Sequence, residues 1–399
     1  MGRGDPEFAR RINTALILDQ LREDKKVSRA HLSRRLRLSK MTVSTIVREL
    51  IKAGLVDENG VGESQRGGGR RPILLTLDRR YRLILGIDIG TTNTALRVAD
   101  VNGDEVLRLR VSTRKKHDVE SVTLQVRELV NEAMRKLRSR KSCVAGTGLS
   151  VAGIVESSSG LILRSPDMGW ENVNIKAILE KSLNLPLRVD NCTRAMALGE
   201  QRYGLAKGTR NVLYVNVGYG IGSALVFNGR IYDRKSELGH TYVTRQRIRC
   251  HCGKYGCLEA VASGHAIEQK ANHDLRKSKG HWLTAEEVAR MAADGDAAAA
   301  AIFAEAGKFL GKAISFAANI LSPDKVIIGG GISLAGGLLL EPVRREFNRH
   351  TMTEVRKSTE IAISCLGMEA GVLGAVALGL DKFVFDVECL QQVERDQVT

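Results

Sequence analysis

The 399-residue sequence predicts an α/β protein in two parts, a small basic head of helices and a β wing followed by a larger two-lobed α/β body. Three observations predict it. Residues 1–80 hold 18 Lys and Arg against 10 Asp and Glu, so a fifth of the chain carries half of the net charge of +16. The same stretch shows helical apolar spacing in three successive runs and then two short strand patterns. The rest contains a strand, glycine loop, strand, Asn-Gly turn, strand unit twice over, beginning near residues 83 and 211.

Size and composition bound the function. A chain well above the roughly 150 residues of one domain, with 43% hydrophobic residues, is expected to build two or three domains with real cores. No apolar run of about 18 residues is present and MGRGDPEFARR lacks the apolar stretch of a secretory signal, so neither a membrane span nor export is expected and the location reads as cytoplasmic. Seven Cys are too sparse for a disulfide scaffold, and three of them crowd into residues 250–257, which reads as a metal site.

In the head, residues 8–23 place Ile12, Leu16 and Leu21 at roughly helical spacing. Ser28 has the side chain of an N-cap for a short helix with Ala30, Leu32 and Leu36, and Ser39 that of a second cap. The helix after Ser39 turns Val43, Ile46, Val47 and Leu50 inward and stops at Gly54. This is a helix-turn-helix, whose second helix enters a DNA major groove by its first turns. Ser39, Lys40, Thr42, Ser44, Thr45 and Arg48 lie off the apolar stripe and are the candidate DNA contacts. The following LVDENGVGESQRGGGRRPILLTL reads as a wing with a basic tip, where Arg66, Arg70 and Arg71 can reach phosphates or a narrow minor groove. A generally basic, solvated surface would account for the charge alone but not for this arrangement.

In the body, the runs 118–138 and 297–321 have helical spacing and fit as layers over the two sheets. The glycine turns at strand ends bring backbone N–H groups close to a ligand, phosphates above all. Candidates are Asp88, Gly90, Thr91 and Thr92 in the first loop, Gly218 and Gly220 in the second, and Gly329, Gly330 and Gly331 in IIGGGIS. Tight turns need glycine with or without a nucleotide, so these loops also read as relics of the fold.

Residues 82–380 resemble the ROK family of repressors and sugar kinases through GIDIGTTNT (86–94), SPDMGWENV (165–173), VDNCTRAMALGE (189–200), GYGIGSALVFNG (218–229), ELGH (237–240), CHCGKYGCLE (250–259) and IIGGGIS. The winged head with RGGGRRP is similar to the members that respond to xylose, N-acetylglucosamine or glucose. The resemblance implies an actin-like, RNase-H-like body with a small lobe at 81–188, completed by a helix near 369–387, and a large lobe at 189–368. It implies sugar contacts at Asn191, Glu237, His240 and Glu259, with Asp167 and Trp170 lining the pocket.

His240, Cys250, Cys252 and Cys257 offer one imidazole and three thiols, the ligand set of a closed, structural zinc site. In the resembled family these four positions hold zinc, and His251 between them is expected to be exposed. Two departures bear on activity. Cys192 stands where the family's kinases have the Asp that serves as general base, and Tyr219 stands in the Gly-Thr-Gly phosphate loop. The sequence therefore reads as a sugar-responsive, non-enzymatic repressor of carbohydrate genes, xylose metabolism among them, that needs no ATP. Its expected partners are a pseudo-palindromic operator and a second copy or a dimer of dimers. An ATP-dependent sugar kinase with a DNA-binding head, or a regulator controlled by a protein partner, are the other readings.

Overall fold

The structure, a computed structural model, describes residues 6–62, 71–275 and 281–386. The head comprises α1 (Pro6–Asp24), β1 (Val27–Ser28), α2 (Arg29–Leu36), α3 (Lys40–Lys52), β2 (Val56–Val61) and β3 (Ile73–Leu77), with sheet order β1-β3-β2. Ser28 accepts the His31 N–H and Ser39 the Thr42 N–H, so both short hydroxyl side chains satisfy a free donor of a first turn. Val43, Ile46, Val47 and Leu50 are buried, and Gly54 at φ +78° ends the run, as the spacing predicts. Arg66 and Arg70 lie outside the described residues.

The first helix departs from expectation. Ile12 and Leu16 are 45% and 41% exposed, while Ile17, Leu18 and Leu21 are buried. Either stripe satisfies a 3.6-residue period, and the body decides between them. Ile17, Leu18 and Leu21 share one continuous core with Ile84, Val376, Leu380 and Phe385, so the head has no separate interior.

The body begins with β4 (Leu83–Ile89), β5 (Asn93–Ala99), β6 (Glu105–Ser112), α4 (Val119–Leu137) and β7 (Val144–Val151). A small sheet of β8 (Ile154–Glu156), β9 (Leu161–Ser165) and β10 (Trp170–Asn174) follows, then α5 (Ile175–Leu183), β11 (Leu187–Asn191) and α6 (Cys192–Tyr203). The second half has β12 (Val212–Val217), β13 (Ile221–Phe227), β14 (Arg230–Ile231), α7 (Glu259–Ala262), α8 (Gly264–Asp274), α9 (Ala285–Ala293) and α10 (Ala297–Leu321). It closes with β15 (Lys325–Gly329), α11 (Gly337–His350), α12 (Thr353–Ser358), β16 (Glu360–Ile363) and α13 (Ala370–Phe383).

The two five-stranded sheets run β11-β7-β4-β5-β6 and β14-β13-β12-β15-β16. Read as fifth, fourth, first, second, third strand in one case and the reverse in the other, they are the same topology, which is the duplication the sequence shows. β11 pairs in parallel with β7 as far as Asn191 opposite Val151, so the first lobe's sheet extends three residues past the expected boundary at 188. The helix α13 crosses back to cover β4 and β7, and it approaches so closely that a Cβ on Gly148 would meet the Ala375 carbonyl. On its other side Gly374 lies against the Ala195 carbonyl of α6. Thus α13 joins the head, the first sheet and α6 in one packed unit.

Candidate functional site

The knuckle that follows β14 is built by backbone bonds. Cys250 N–H donates to Lys254 O at 2.8 Å, Gly253 N–H to Cys250 O at 2.9 Å, and Val243 N–H to Gly256 O at 2.9 Å. Gly253 and Gly256 take φ of +92° and +74°, which other residues adopt only with strain. The turn brings one ligand atom each of His240, Cys250, Cys252 and Cys257 within 4.8 Å of one another. Cys252 and Cys257 sulfurs are 3.7 Å apart, and Cys250 Sγ is 3.6 Å from His240 Nδ1. A tetrahedron with metal–sulfur bonds of about 2.3 Å has edges of about 3.8 Å, so the residues fit a four-coordinate ion. Burial pushes the Cys250 and Cys257 thiols above their ordinary value, so metal binding releases protons.

Glu259 opens α7 directly after the knuckle. Its Oε2 accepts the Ile221 N–H at 3.0 Å and its Oε1 accepts from Cys250 Sγ at 3.4 Å, while Gly220 leaves room for the carboxylate. Glu237 precedes the short turn containing His240, and burial is the main cause raising its carboxyl above the ordinary range. Asn191 is differently employed than a pure ligand contact. Its Oδ1 accepts the Thr193 and Arg194 N–H groups and its Nδ2 donates to Gly153 O at 2.7 Å, which leaves one amide N–H for a ligand.

Asp88 and Cys192 lie close enough for the charge of one to act on the other. Burial raises Asp88 to about 6 against the bond it receives from the Ser150 hydroxyl at 2.6 Å. Burial, with the Asp88 charge adding, pushes the Cys192 thiol up to about 12. Arg194 does not relieve it, because its guanidinium is committed to Asp190 and to the Ser157 hydroxyl. Asp167, whose charge also acts on Cys192, is raised mainly by burial and next by Glu259, with His251, His265 and His240 opposing. Trp170 does not line the pocket. It is 3% exposed and donates its indole N–H to His117 O, so the apolar interior of the first lobe claims it.

The glycine loops are closed on themselves. Gly90 N–H donates to Asn93 O, the Thr113 hydroxyl donates to Gly90 O, and Gly218 N–H donates to Gly220 O. Thr91 is half-buried and Thr92 exposed, while Gly329 ends β15 and Gly330 and Gly331 begin the next turn. Tyr219 does not fill its loop as its bulk predicts. Its ring stands outward, stacks with His251, an exposed residue as expected, and tilts against His265, which sequence reasoning missed because nothing in its spacing links it to the knuckle. On the head, Ser39, Lys40, Thr45, Arg48 and Arg71 are exposed and Thr42 and Ser44 half-exposed.

Residues 84–382 match the model of the ROK family, three quarters of the chain, and residues 11–71 match that of the MarR family. The chain belongs to the ROK family. It is 30% identical over 388 residues to a xylose repressor of Caldicellulosiruptor bescii, covering 94% of this chain and 97% of that one. A glucokinase from Halalkalibacterium halodurans is 32% identical over 312 residues, 74% of this chain and 94% of the kinase. A solved ROK family transcriptional regulator, a homologue of the E. coli MLC protein, superposes with a TM-score of 0.84 at 25% identity, over 97% of this chain and 99% of that one. The match to the glucokinase spans about the length of the body alone, whereas those to the repressor and the regulator run the length of head and body together. Among the described residues, no helix is long and apolar enough to cross a membrane.

Proposed function

We propose that this ROK protein is a sugar-responsive transcriptional repressor whose head, residues 1–80, binds operator DNA and whose lobes, 81–191 with 369–387 and 192–368, hold the effector between them. One observation carries the coupling. The helix α6 is capped by Asn191, a proposed sugar contact, and carries in its last turn Arg202, whose guanidinium lies 3.0 Å from Asp381 of α13, and the same carboxylate lies 3.0 Å from Arg22 of the head. A change in lobe closure that shifts α6 therefore reaches α1 through one ion triad and the shared core. Lys40, Thr42, Ser44, Thr45 and Arg48, with Ser39 at the cap, read the major groove, and Arg66, Arg70 and Arg71 hold phosphates or the minor groove. Two copies place two heads on a pseudo-palindromic site.

Asn191, Glu237, His240 and Glu259 are the sugar contacts, and the knuckle's ion is zinc, which fixes the loops that carry Glu237 and Glu259. The similarity of this chain to a xylose repressor makes xylose the first effector to try. The chain does not transfer phosphate, because a thiol near 12 holds its proton at neutral pH and cannot take one from a sugar hydroxyl. The kinase reading is favoured by the glucokinase relative and by the retained Asp88 loop. A coupled ADP-release assay with every sugar that binds separates the two: turnover on the order of 1 s⁻¹ establishes a kinase, and its absence together with sugar-dependent operator binding supports the repressor.

A further inference from the structure

A cavity of about 290 Å³ is lined by Glu259 but by none of the other sugar contacts proposed above. Its lining includes Glu259, Cys250, Tyr219, His251 and His265. The three rings come from separate segments, the loop after β12, the knuckle and the first turn of α8. Backbone bonds fix their meeting, with Gly264 N–H donating to Gly218 O at 2.8 Å and His265 N–H to Tyr219 O at 3.2 Å. The His265 ring centroid lies 5.0 Å from that of Tyr219 and 4.8 Å from that of His251, and Tyr219 and His251 stack at an interplanar angle of 22°. Tyr219 is 43% exposed, so its ring keeps surface for a ligand. Gln246 and Gln269 add amides to the lining.

Flat rings beside amides and a carboxylate suit a sugar ring, whose C–H face packs on the aromatic surface while its hydroxyls meet the polar edge. A nucleotide suits it less: Glu259, Asp274 and Glu305 outnumber Arg249 and Lys270 in its lining, and Lys270 is already paired with Asp274 and Glu305. The volume holds one sugar ring, and Glu259 of the proposed first site lines it.

We infer that this cavity is a second sugar subsite and that the effector is a disaccharide or longer glycoside, with its first ring at Asn191, Glu237, His240 and Glu259 and its second on Tyr219, His251 and His265. The inference rests on the sugar-site reading above. It is tested by calorimetry on the full, zinc-loaded chain with xylose against xylobiose, glucose against cellobiose, and N-acetylglucosamine against N,N′-diacetylchitobiose. At least one disaccharide binds tenfold or more tighter than its own monosaccharide. Tyr219→Ala and His265→Ala each lower that advantage about tenfold while monosaccharide affinity and melting temperature hold, and Tyr219→Phe retains it. Monosaccharides that bind as tightly as every disaccharide, or a Tyr219→Ala variant that weakens both alike, overturn the second subsite but leave the first. Failure of the underlying reading looks different: no sugar of either length binds, or Glu259→Gln leaves sugar binding intact.

Discussion

Replacing Asp381 by Asn tests how the head is tied to the body. Arg22 and Arg202 each approach this carboxylate to 3.0 Å, and Arg22 also lies 4.1 Å from the centroid of the Phe385 ring. Coulomb's law at that separation, with an effective dielectric near 20, gives about 5 kcal/mol per contact before desolvation is charged against it. Asp381 is a third exposed and the Arg22 side chain 13%, so water screens one side of the triad and burial opposes the charge of Arg22. The net loss on substitution is about 2 kcal/mol, most of it from two guanidinium groups left facing each other. The consequence for function is larger than for stability. Sugar affinity, measured by calorimetry, should stay within twofold of wild type, because the cleft residues are untouched. The change in operator affinity on adding sugar, expected at about 1–3 kcal/mol in the native protein, should fall below 0.5 kcal/mol, on the order of a twofold effect in a fluorescence-anisotropy titration. An Asp381→Asn protein that binds sugar and still releases DNA with the full native response would refute the route through α6, α13 and α1.

Three further outcomes follow from named contacts. Cys257→Ser should reduce bound zinc from one ion per chain to near zero by elemental analysis and weaken sugar binding with it, since Glu259 follows Cys257 by two residues and opens α7. Arg48→Ala should cost about 1–3 kcal/mol of operator affinity against a specific site, whereas Arg71→Ala should lower the slope of log K against log salt by about 0.9; equal slopes for wild type and Arg71→Ala would remove the wing contact. Asp88 titrates near 6 in the fold against 3.8 for the free side chain, so the unfolded chain gives up this proton first as pH rises. Its contribution is present in full below about pH 4 and lost by about pH 6, at most about 3 kcal/mol. Asp88→Asn, whose amide oxygen still accepts from Ser150, should therefore gain stability relative to wild type across that window in urea titrations, and a constant difference from pH 4 to 7 would contradict the burial of this carboxyl.

Much of this architecture was legible because it is local. Ser28 and Ser39 announce caps, Val43, Ile46, Val47 and Leu50 follow one period, and the Asn-Gly turns at Asn102 and Asn228 repeat with their strands. The metal cluster was legible for the same reason: its three thiols fall within eight residues, and only His240 comes from outside the knuckle turn. What could not be read is what depends on distant partners. The inward face of α1 is set by Val376 and Leu380, more than 350 residues away in the chain, and Trp170 was drawn into the first lobe by a backbone carbonyl at His117. His265 and Asp381 carry no local pattern at all, because each acquires its role only when α8 meets the Tyr219 loop and when α13 meets both α1 and α6.

The central claim is most directly tested by one titration. The full chain is bound to a fluorescent duplex recovered by that chain from a random-sequence pool, with and without the sugar that calorimetry shows to bind, and with no ATP present. The account predicts specific binding in the range of about 10⁻⁸–10⁻¹¹ M, weakened by about 5- to 150-fold when the sugar is added. An operator affinity that the sugar leaves unchanged would contradict it.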